Sequence, residues 1–209
     1  MNADPDPPRR PLAPDEIAAY QRDGATCARG LLPEAWLARM SEAVDRAIAN
    51  PTPLSDAVSR PELGFRNDLF LWKTDDAFYD IVYRSPAAHI AHQLLGSREV
   101  RFFYDQLFIK PAGCHLATPW HQDLTFWPVE GRQICSIWIP LDSVTREQSG
   151  LEFVRGSHQW AERFKPVDPT FNPYLLSADL PDHPIATRDH CFACTAGQGS
   201  SCGGVLNTN

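Results

Sequence analysis

The chain lacks the long apolar run, of about 18 residues or more, that a membrane-spanning helix requires. Its first segment, MNADPDPPRRPLAP, also lacks the apolar core of a secretory signal peptide. No run of basic residues is present, and 26 acidic residues against 19 basic ones give a net charge of −7. Because a nucleic-acid surface needs clustered positive charge, we expect a cytoplasmic protein that binds neither nucleic acid nor membrane.

The chain also gives no reason to expect disulfides, because it shows no secretory signal. The chain has six cysteines, of which one pair forms the motif Cys191-Phe-Ala-Cys194. In a cytoplasmic chain we expect these residues to be thiols. A zinc site at the motif would need two more ligands, and only Cys202, His183 and His190 are near it in the sequence. Zinc is therefore the less favoured interpretation.

What the chain does contain is typical of a globular protein, with 43% apolar and 22% charged residues over 209 positions. That length is sufficient for one domain with its own core. We predict a disordered leader over residues 1–13 and one folded domain with N-terminal helices over residues 14–185. The small, polar residues 186–209 are weakly periodic, and we expect an atypical tail there without a well-packed strand.

Helical patterns fill the first half of the chain. PDEIAAYQRDG predicts a helix that ends at Gly24, and PEAWLARMSEAVDRAIAN predicts a longer helix that ends at Asn50-Pro51. SPAAHIAHQLLG predicts a third helix, with Ser85 as its N-terminal cap. After Gly96 the pattern changes to short apolar or alternating segments: EVRFFYDQLFIK, TPWHQDLTFW, QICSIWIPLD and LEFVRGSH. The sequence therefore predicts a mainly β sandwich or barrel with N-terminal helices.

The segment TPWHQDLTFW places His121 two residues before Asp123. On a strand, both side chains would leave the same face. One interpretation is a buried, hydrogen-bonded pair, which is the commoner arrangement. The other is a pair of metal ligands, since one imidazole and one carboxylate form two-thirds of the facial triad of non-haem iron(II) enzymes.

The neighbouring predicted strands also carry polar residues on single faces. Gln106 and Lys110 alternate together, as do Ser136 and Trp138. Burying an unpaired lysine is costly, so a ligand with two carboxylates would suit Lys110. The alternative is that Lys110 ends its strand and extends its ammonium group to water.

Several of these elements occur in an order that is more specific than the HxD motif alone. The stretches DQLFIKPAG and TPWHQDLTFWPVEGRQICSIWIPLDSVTREQSGLEFVRGSHQW resemble the phytanoyl-CoA dioxygenase family of Fe(II)/2-oxoglutarate oxygenases. The resemblance covers roughly residues 12–165 and is densest over 100–160. One minor departure is Arg155, where the family usually has proline.

The resemblance implies a double-stranded β-helix, which is a jelly-roll, cupin-like barrel, in this case incomplete if its last strands are missing. His121 and Asp123 match the first two Fe(II) ligands of the family. Four further residues match positions that line the 2-oxoglutarate pocket or its edge: Gln106, Lys110, Gln122 and Trp138. The implied reaction consumes molecular oxygen, converts 2-oxoglutarate into succinate and carbon dioxide, and hydroxylates a small metabolite or acyl derivative.

The family pattern also requires a second histidine ligand in a His-Gly-Ser stretch and then an arginine for the far carboxylate of 2-oxoglutarate. After Asp123 the chain has His158, which matches a structural Gly-Ser-His turn, and then only His183 and His190. Either Gln198 stands at the ligand position or His190 is recruited, and no arginine follows Arg188. This difference suggests that the C-terminal part is truncated or divergent.

Three functions therefore stay open at the level of sequence. The first is an active dioxygenase of this family. The second is a catalytically impaired member that lacks the third iron ligand and the arginine, for which we expect weak iron(II) binding and poor turnover. A third and weaker hypothesis is a cupin-like hydrolase or isomerase that uses the HxD pair with another divalent metal.

Overall fold

The computed structural model describes residues 4–114, 118, 120–145, 148, 150–161, 185–186 and 194–197. The chain forms two compact units. The first comprises Met1–Arg10, Leu31–His92 and Arg98–Leu116, and the second comprises Pro11–Gly30, Gln93–Ser97 and Ala117–Asn209. No helix in the described part of the chain is long and apolar enough to cross a membrane.

The regular elements follow one another as the sequence pattern predicts, with helices first and most strands later. In chain order they are α1 (Pro14–Asp23), β1 (Ala25–Cys27), α2 (Glu34–Ala49), α3 (Pro53–Val58), β2 (Arg66–Leu69), α4 (Asp76–Tyr83), α5 (Ala87–Leu95), β3 (Gln106–Ile109), β4 (Cys135–Trp138), β5 (Phe153–Val154), β6 (Ile185–Ala186) and β7 (Cys194–Gly197). Short 3₁₀ turns lie at Pro61–Leu63, Leu71–Lys73, Asp123–Phe126 and Ser157–Gln159.

The helices begin and end where their capping residues require. At the start of α1, the carboxylate of Glu16 accepts the backbone N–H of Ala13 at 2.8 Å. At its end, Gly24 adopts a left-handed conformation, and its N–H donates to the carbonyl of Tyr20 at 2.9 Å. The predicted stop at Gly24 is confirmed, and so is the long helix α2.

In the first unit, α2 and α4 pack together around apolar side chains that include Trp36, Met40 and Phe78. The carboxylate of Asp80 on α4 is buried beneath this contact and is paired with the guanidinium groups of Arg39 and Arg84. Both arginines keep about half of their side chains in solvent. The pairing satisfies a charge that would be costly to bury alone.

Part of the predicted disordered leader makes defined contacts in the first unit. Asp6 donates its backbone N–H to Arg84 at 2.7 Å, and Arg9 donates to Leu31 at 2.9 Å. The indole N–H of Trp36 donates to the Asp6 carboxylate at 3.0 Å. At Asp6 and Arg9 the structure thus differs from the expectation, because backbone hydrogen bonds hold both residues in a segment whose composition predicts disorder. The domain limits at residues 13 and 185 stay predictions.

Strands β2 and β3 pair antiparallel in the first unit, with Leu69 opposite Gln106 and Arg66 opposite Ile109. Strand β3 is therefore confirmed, although it is shorter than the predicted segment. In the second unit β7 lies between β1 and β4, and β5 pairs with β6. The described strands thus form small antiparallel sheets that contact helices of their own unit, α3 on β2 and α1 on β1.

The position of β7 is a second difference from the sequence expectation. Cys194 lies opposite Cys27 on one side and opposite Trp138 on the other. This strand falls within residues 186–209, for which the sequence predicts no well-packed strand. Backbone pairing on both edges explains it, because ladder hydrogen bonds require no apolar periodicity in the strand that receives them.

The cysteines differ from the expectation at one position. Cys27 is disulfide-bonded, which corrects the prediction of a thiol there. Cys114 and Cys135 are free thiols, as expected. Cys191 and Cys202, and with them the weakly favoured zinc site, lie outside the described residues.

Gly24 provides a test of how α1 packs in the second unit. Its φ is +84°, and a Cβ there would lie 2.4 Å from Nδ1 of His158. Gly30 is a matched control, because its φ is +66° and nothing lies within 4 Å of the position that a Cβ would take. We expect Gly24→Ala to lower the free energy of unfolding by about 2–4 kcal/mol and Gly30→Ala by about 1 kcal/mol.

Urea unfolding of the two variants and of Gly24→Ala/His158→Ala measures the difference. The double variant should regain part of the loss, because the colliding ring is gone. Equal losses in both glycine variants would show that the contact with His158 is not tight.

Candidate functional site

The HxD segment does not form the strand that the sequence predicts. Gln122 is extended, with φ −108° and ψ 119°, but Asp123 begins a 3₁₀ turn that ends at Phe126. The carbonyl of Gln122 accepts both the backbone N–H of Thr125, at 3.1 Å, and its hydroxyl, at 2.7 Å. This local side-chain bond competes with a strand and explains the error.

The turn nevertheless brings the two predicted ligands together. Nε2 of His121 lies 3.1 Å from Oδ1 of Asp123. The His121 side chain is 7% exposed and that of Asp123 is 25% exposed. From β4, the hydroxyl of Ser136 donates to Oδ2 of Asp123 at a long 3.4 Å. The carboxylate therefore has one oxygen directed to His121 and the other to β4.

Aromatic side chains pack on the His121 side of this pair. The ring of His121 meets the ring of Phe126 edge to face, with centroids 5.8 Å apart. Phe126 in turn packs with Trp120 and Trp160 around the buried Val154. This aromatic surrounding limits access of water to the imidazole, and electrostatic interactions strengthen in such an environment.

A separation of 3.1 Å fits two arrangements of the pair. It fits a hydrogen bond between imidazole and carboxylate. It also fits two adjacent ligands of one metal ion, because two bonds of about 2.1 Å at a right angle place their donor atoms about 3.0 Å apart. Within the described ranges, no group of three or more His, Cys, Asp or Glu side chains could hold a metal ion. A third ligand of those types would have to come from elsewhere in the chain.

The other residues predicted in the second unit are placed as follows. Trp138 lies on β4 with Ser136 and packs against the buried Phe153 of β5. Gln122 is buried, at 6% exposure, and its carbonyl organises the turn described above. Trp138 and Ser136 thus share the strand that contacts Asp123.

Gln106 and Lys110 belong to the first unit. The side-chain amide Nε2 of Gln106 donates to Oδ1 of Asn67 at 3.1 Å, and its Oε1 accepts from the hydroxyl of Tyr104 at 3.4 Å. The ammonium nitrogen of Lys110 lies 5.9 Å from the centre of the Phe65 ring. Both residues are partly buried. Neither the Lys110 charge nor the Gln106 amide is therefore fully enclosed by apolar side chains.

The remaining histidines do not add a ligand in the described part. Nε2 of His158 lies 3.1 Å from the carbonyl of Gln21, so this ring packs against the end of α1. His89 and His92 are exposed on α5. The candidate third-ligand positions (His183, His190 and Gln198) and Arg188 lie outside the described residues.

Two contacts near these residues were not predicted. The first is the contact of Asn67 with Gln106. Asn67 lies in the segment GFRNDLF, where polar residues interrupt apolar ones, and this pattern could have indicated a buried polar contact. The second is the interaction of the Tyr20 hydroxyl of α1 with the thiol of Cys135 on β4, each of which shifts the pKa of the other. No sequence pattern indicates it, because the two residues are far apart along the chain.

Comparison with known proteins identifies the family. Residues 20–188 match the phytanoyl-CoA dioxygenase (PhyH) family. The chain therefore belongs to the phytanoyl-CoA dioxygenase family. It is 25% identical over 155 residues to the ectoine dioxygenase of Bordetella bronchiseptica, a match that covers 71% of this chain and 50% of that enzyme. The chain thus spans about half the length of this relative.

Solved structures show the same fold. The epimerase SnoN, in complex with Fe³⁺, α-ketoglutarate and nogalamycin RO, has a TM-score of 0.71 and 19% identity, over 93% of this chain and 77% of SnoN. EctD from S. alaskensis, with 2-oxoglutarate and 5-hydroxyectoine, has a TM-score of 0.72 and 20% identity, over 92% and 70% of the two chains. At such identities the likeness concerns the fold alone. These neighbours have a jelly roll, and for this chain a jelly-roll barrel stays a prediction.

The thiol of Cys135 provides a test of the packing between α1 and β4. Burial raises the pKa of Cys135 to about 11, and the neighbouring hydroxyl of Tyr20 offsets part of that rise. At pH 8 the thiolate fraction should then be roughly 100-fold below that of an ordinary cysteine. We expect slow alkylation of the folded protein by iodoacetamide at pH 8, with a rate that rises as the pH approaches 11.

Mass spectrometry of the peptide that contains Cys135 measures this rate. The urea-unfolded protein is the reference and should react fast at pH 8. Equal rates in the folded and unfolded protein would contradict the raised pKa of this half-buried thiol.

Proposed function

We propose that the chain is an Fe(II)- and 2-oxoglutarate-dependent oxygenase that hydroxylates a small metabolite or acyl derivative. The observation that carries the proposal is the 3.1 Å separation of His121 Nε2 and Asp123 Oδ1. Family membership supports it, since residues 20–188 match the phytanoyl-CoA dioxygenases. The complex of SnoN with Fe³⁺ and α-ketoglutarate and that of EctD with 2-oxoglutarate support the choice of cofactor and co-substrate.

The chemistry of the two side chains fits iron(II). A neutral imidazole nitrogen and a carboxylate oxygen are the donor types of a facial triad, which leaves positions for co-substrate and oxygen. The hydroxyl of Ser136 would fix the orientation of the Asp123 carboxylate, as hydrogen bonds to metal ligands commonly do. Bound there, iron(II) would supply the oxidative decarboxylation of 2-oxoglutarate that drives substrate hydroxylation.

Four residues are assigned to 2-oxoglutarate by the family resemblance: Gln106, Lys110, Gln122 and Trp138. The ammonium group of Lys110 can form a charge-assisted hydrogen bond with a carboxylate of the co-substrate. Trp138, packed on Phe153, would provide an apolar wall that excludes water from the reacting groups. A jelly-roll barrel is part of the same proposal.

The first test is succinate formation under air with iron(II), ascorbate and 2-oxoglutarate. We expect His121→Ala to lower the rate by at least about 100-fold, because the loss of a metal ligand exceeds the 10–100-fold effect of removing a residue behind it. His92→Ala is the matched control, since that histidine is exposed on α5. Succinate formation that persists in His121→Ala would refute the assignment of the ligand.

A second candidate function is supported by one observation, which is that the described residues bring together two ligands and no third. In this case the chain keeps the pocket but binds iron(II) weakly and turns over 2-oxoglutarate poorly. The two candidates differ in whether a residue outside the described ranges completes the triad.

Distance along the chain from β7 favours position 198 over position 190 for that ligand. Ala196 lies opposite Ser136, whose hydroxyl contacts Asp123. Along the chain, Gln198 comes two residues after Ala196, whereas His190 precedes it by six. We therefore expect Gln198→His to tighten iron(II) binding by about tenfold or more and to raise succinate formation.

The matched variant His190→Ala should leave both quantities unchanged. Iron(II) affinity is measured by anaerobic titration, and succinate is measured as above. Loss of succinate formation in His190→Ala would show instead that His190 completes the triad in the unmodified chain.

A further inference from the structure

Asn67 is a buried polar residue in the middle of β2, with 2% of its surface exposed. Its backbone N–H donates to the hydroxyl of Ser59 at 3.0 Å. Its carbonyl accepts from the hydroxyls of Ser55, at 2.9 Å, and Ser59, at 3.0 Å. These bonds use main-chain atoms alone, so they fix the strand but do not explain why an asparagine occupies the position.

The side chain of Asn67 has one hydrogen-bond partner in the described part of the structure. Its Oδ1 accepts Nε2 of Gln106 at 3.1 Å across the pair of strands. Oε1 of Gln106 accepts from the hydroxyl of Tyr104. Because the nitrogen end of the Gln106 amide faces Asn67 and the oxygen end faces Tyr104, the amide is held in one orientation.

The other end of the Asn67 side chain is costly to bury. Its Nδ2 is inaccessible to solvent and has no hydrogen-bond partner among the residues that the structure describes. A buried donor without an acceptor destabilises a fold, and a leucine of similar size would avoid this penalty. Stability alone therefore does not account for Asn67, and such groups often mark a functional requirement.

We propose that Asn67 is a positioning residue for 2-oxoglutarate and acts through Gln106. This rests on the proposed function, which assigns Gln106 to the co-substrate pocket. With one N–H of Nε2 bound to Asn67, the second N–H of the same nitrogen is directed for donation to a carboxylate oxygen of the co-substrate. Without Asn67, only the long hydrogen bond from Tyr104, at 3.4 Å, restrains the Gln106 amide, so that it can rotate and present its carbonyl oxygen, which repels a carboxylate.

The test is the affinity for 2-oxoglutarate, measured by calorimetry without oxygen and with Mn(II) in place of iron(II). We expect Asn67→Leu to raise the Kd about three- to tenfold, which is the effect of losing one net hydrogen bond. In a Gln106→Leu background the same change should have no further effect, since its route to the ligand is gone. Asn67→Ser, which loses the bond without adding an apolar branch, is measured alongside in case leucine impairs folding.

Ser59→Ala is the matched control, because it removes hydrogen bonds to the Asn67 backbone and leaves the side chain in place. It should lower the midpoint of thermal unfolding while the Kd stays unchanged. An unchanged Kd in both Asn67 variants, or an equal loss in the Gln106→Leu background, would overturn the inference alone. An unmodified chain that binds no 2-oxoglutarate would overturn the proposed function, and this inference with it.

Discussion

The contact between the imidazole of His121 and the carboxylate of Asp123 is the interaction on which the proposed function depends. It does not arise from strand alternation, because the backbone turns at Asp123. It arises from the bond that Thr125 makes to the carbonyl of Gln122, which tightens the chain into a 3₁₀ turn and directs both side chains to one place. The pair thus results from the two-residue spacing of His121 and Asp123 and from the hydrogen bond of the Thr125 hydroxyl.

In each unit a different hydrogen bond orients a proposed site residue. In the second unit, β4 supplies the hydroxyl of Ser136 to Asp123 and the ring of Trp138 to the apolar packing against Phe153. In the first unit, β2 holds Gln106 through the buried amide of Asn67. In both cases a polar group that is not itself a proposed ligand fixes the orientation of one that is, as is common around metal and carboxylate sites.

The sequence predicts the helices well because their limits depend on local chemistry. Gly24 ends α1 through its own backbone freedom, and Ser85 accepts the N–H of Ala87 at the start of α5. The pairing of His121 with Asp123 was also predictable, although for the wrong reason. The strand predicted there fails because a side-chain hydrogen bond from Thr125 outweighs the apolar alternation around it.

What the sequence could not predict are the contacts that join distant segments. Strand β7 forms because β1 and β4 offer free edges on either side, and its own residues are small and weakly periodic. The hydrogen bond between Asn67 and Gln106 depends on the register of β2 and β3, and the two residues lie 39 positions apart in the chain. Neither contact leaves a local pattern in the residues that make it.

The central claim, that His121 and Asp123 share one divalent metal ion, is tested most directly by counting bound Mn(II). Electron paramagnetic resonance reports the free ion, so its loss on titration with the protein gives the Kd and the stoichiometry. We expect one site, with a Kd that rises by about 10–100-fold or more in Asp123→Asn and is unchanged in Asp142→Asn, an exposed aspartate. Mn(II) binding that is equal in the unmodified chain and in Asp123→Asn would contradict the claim.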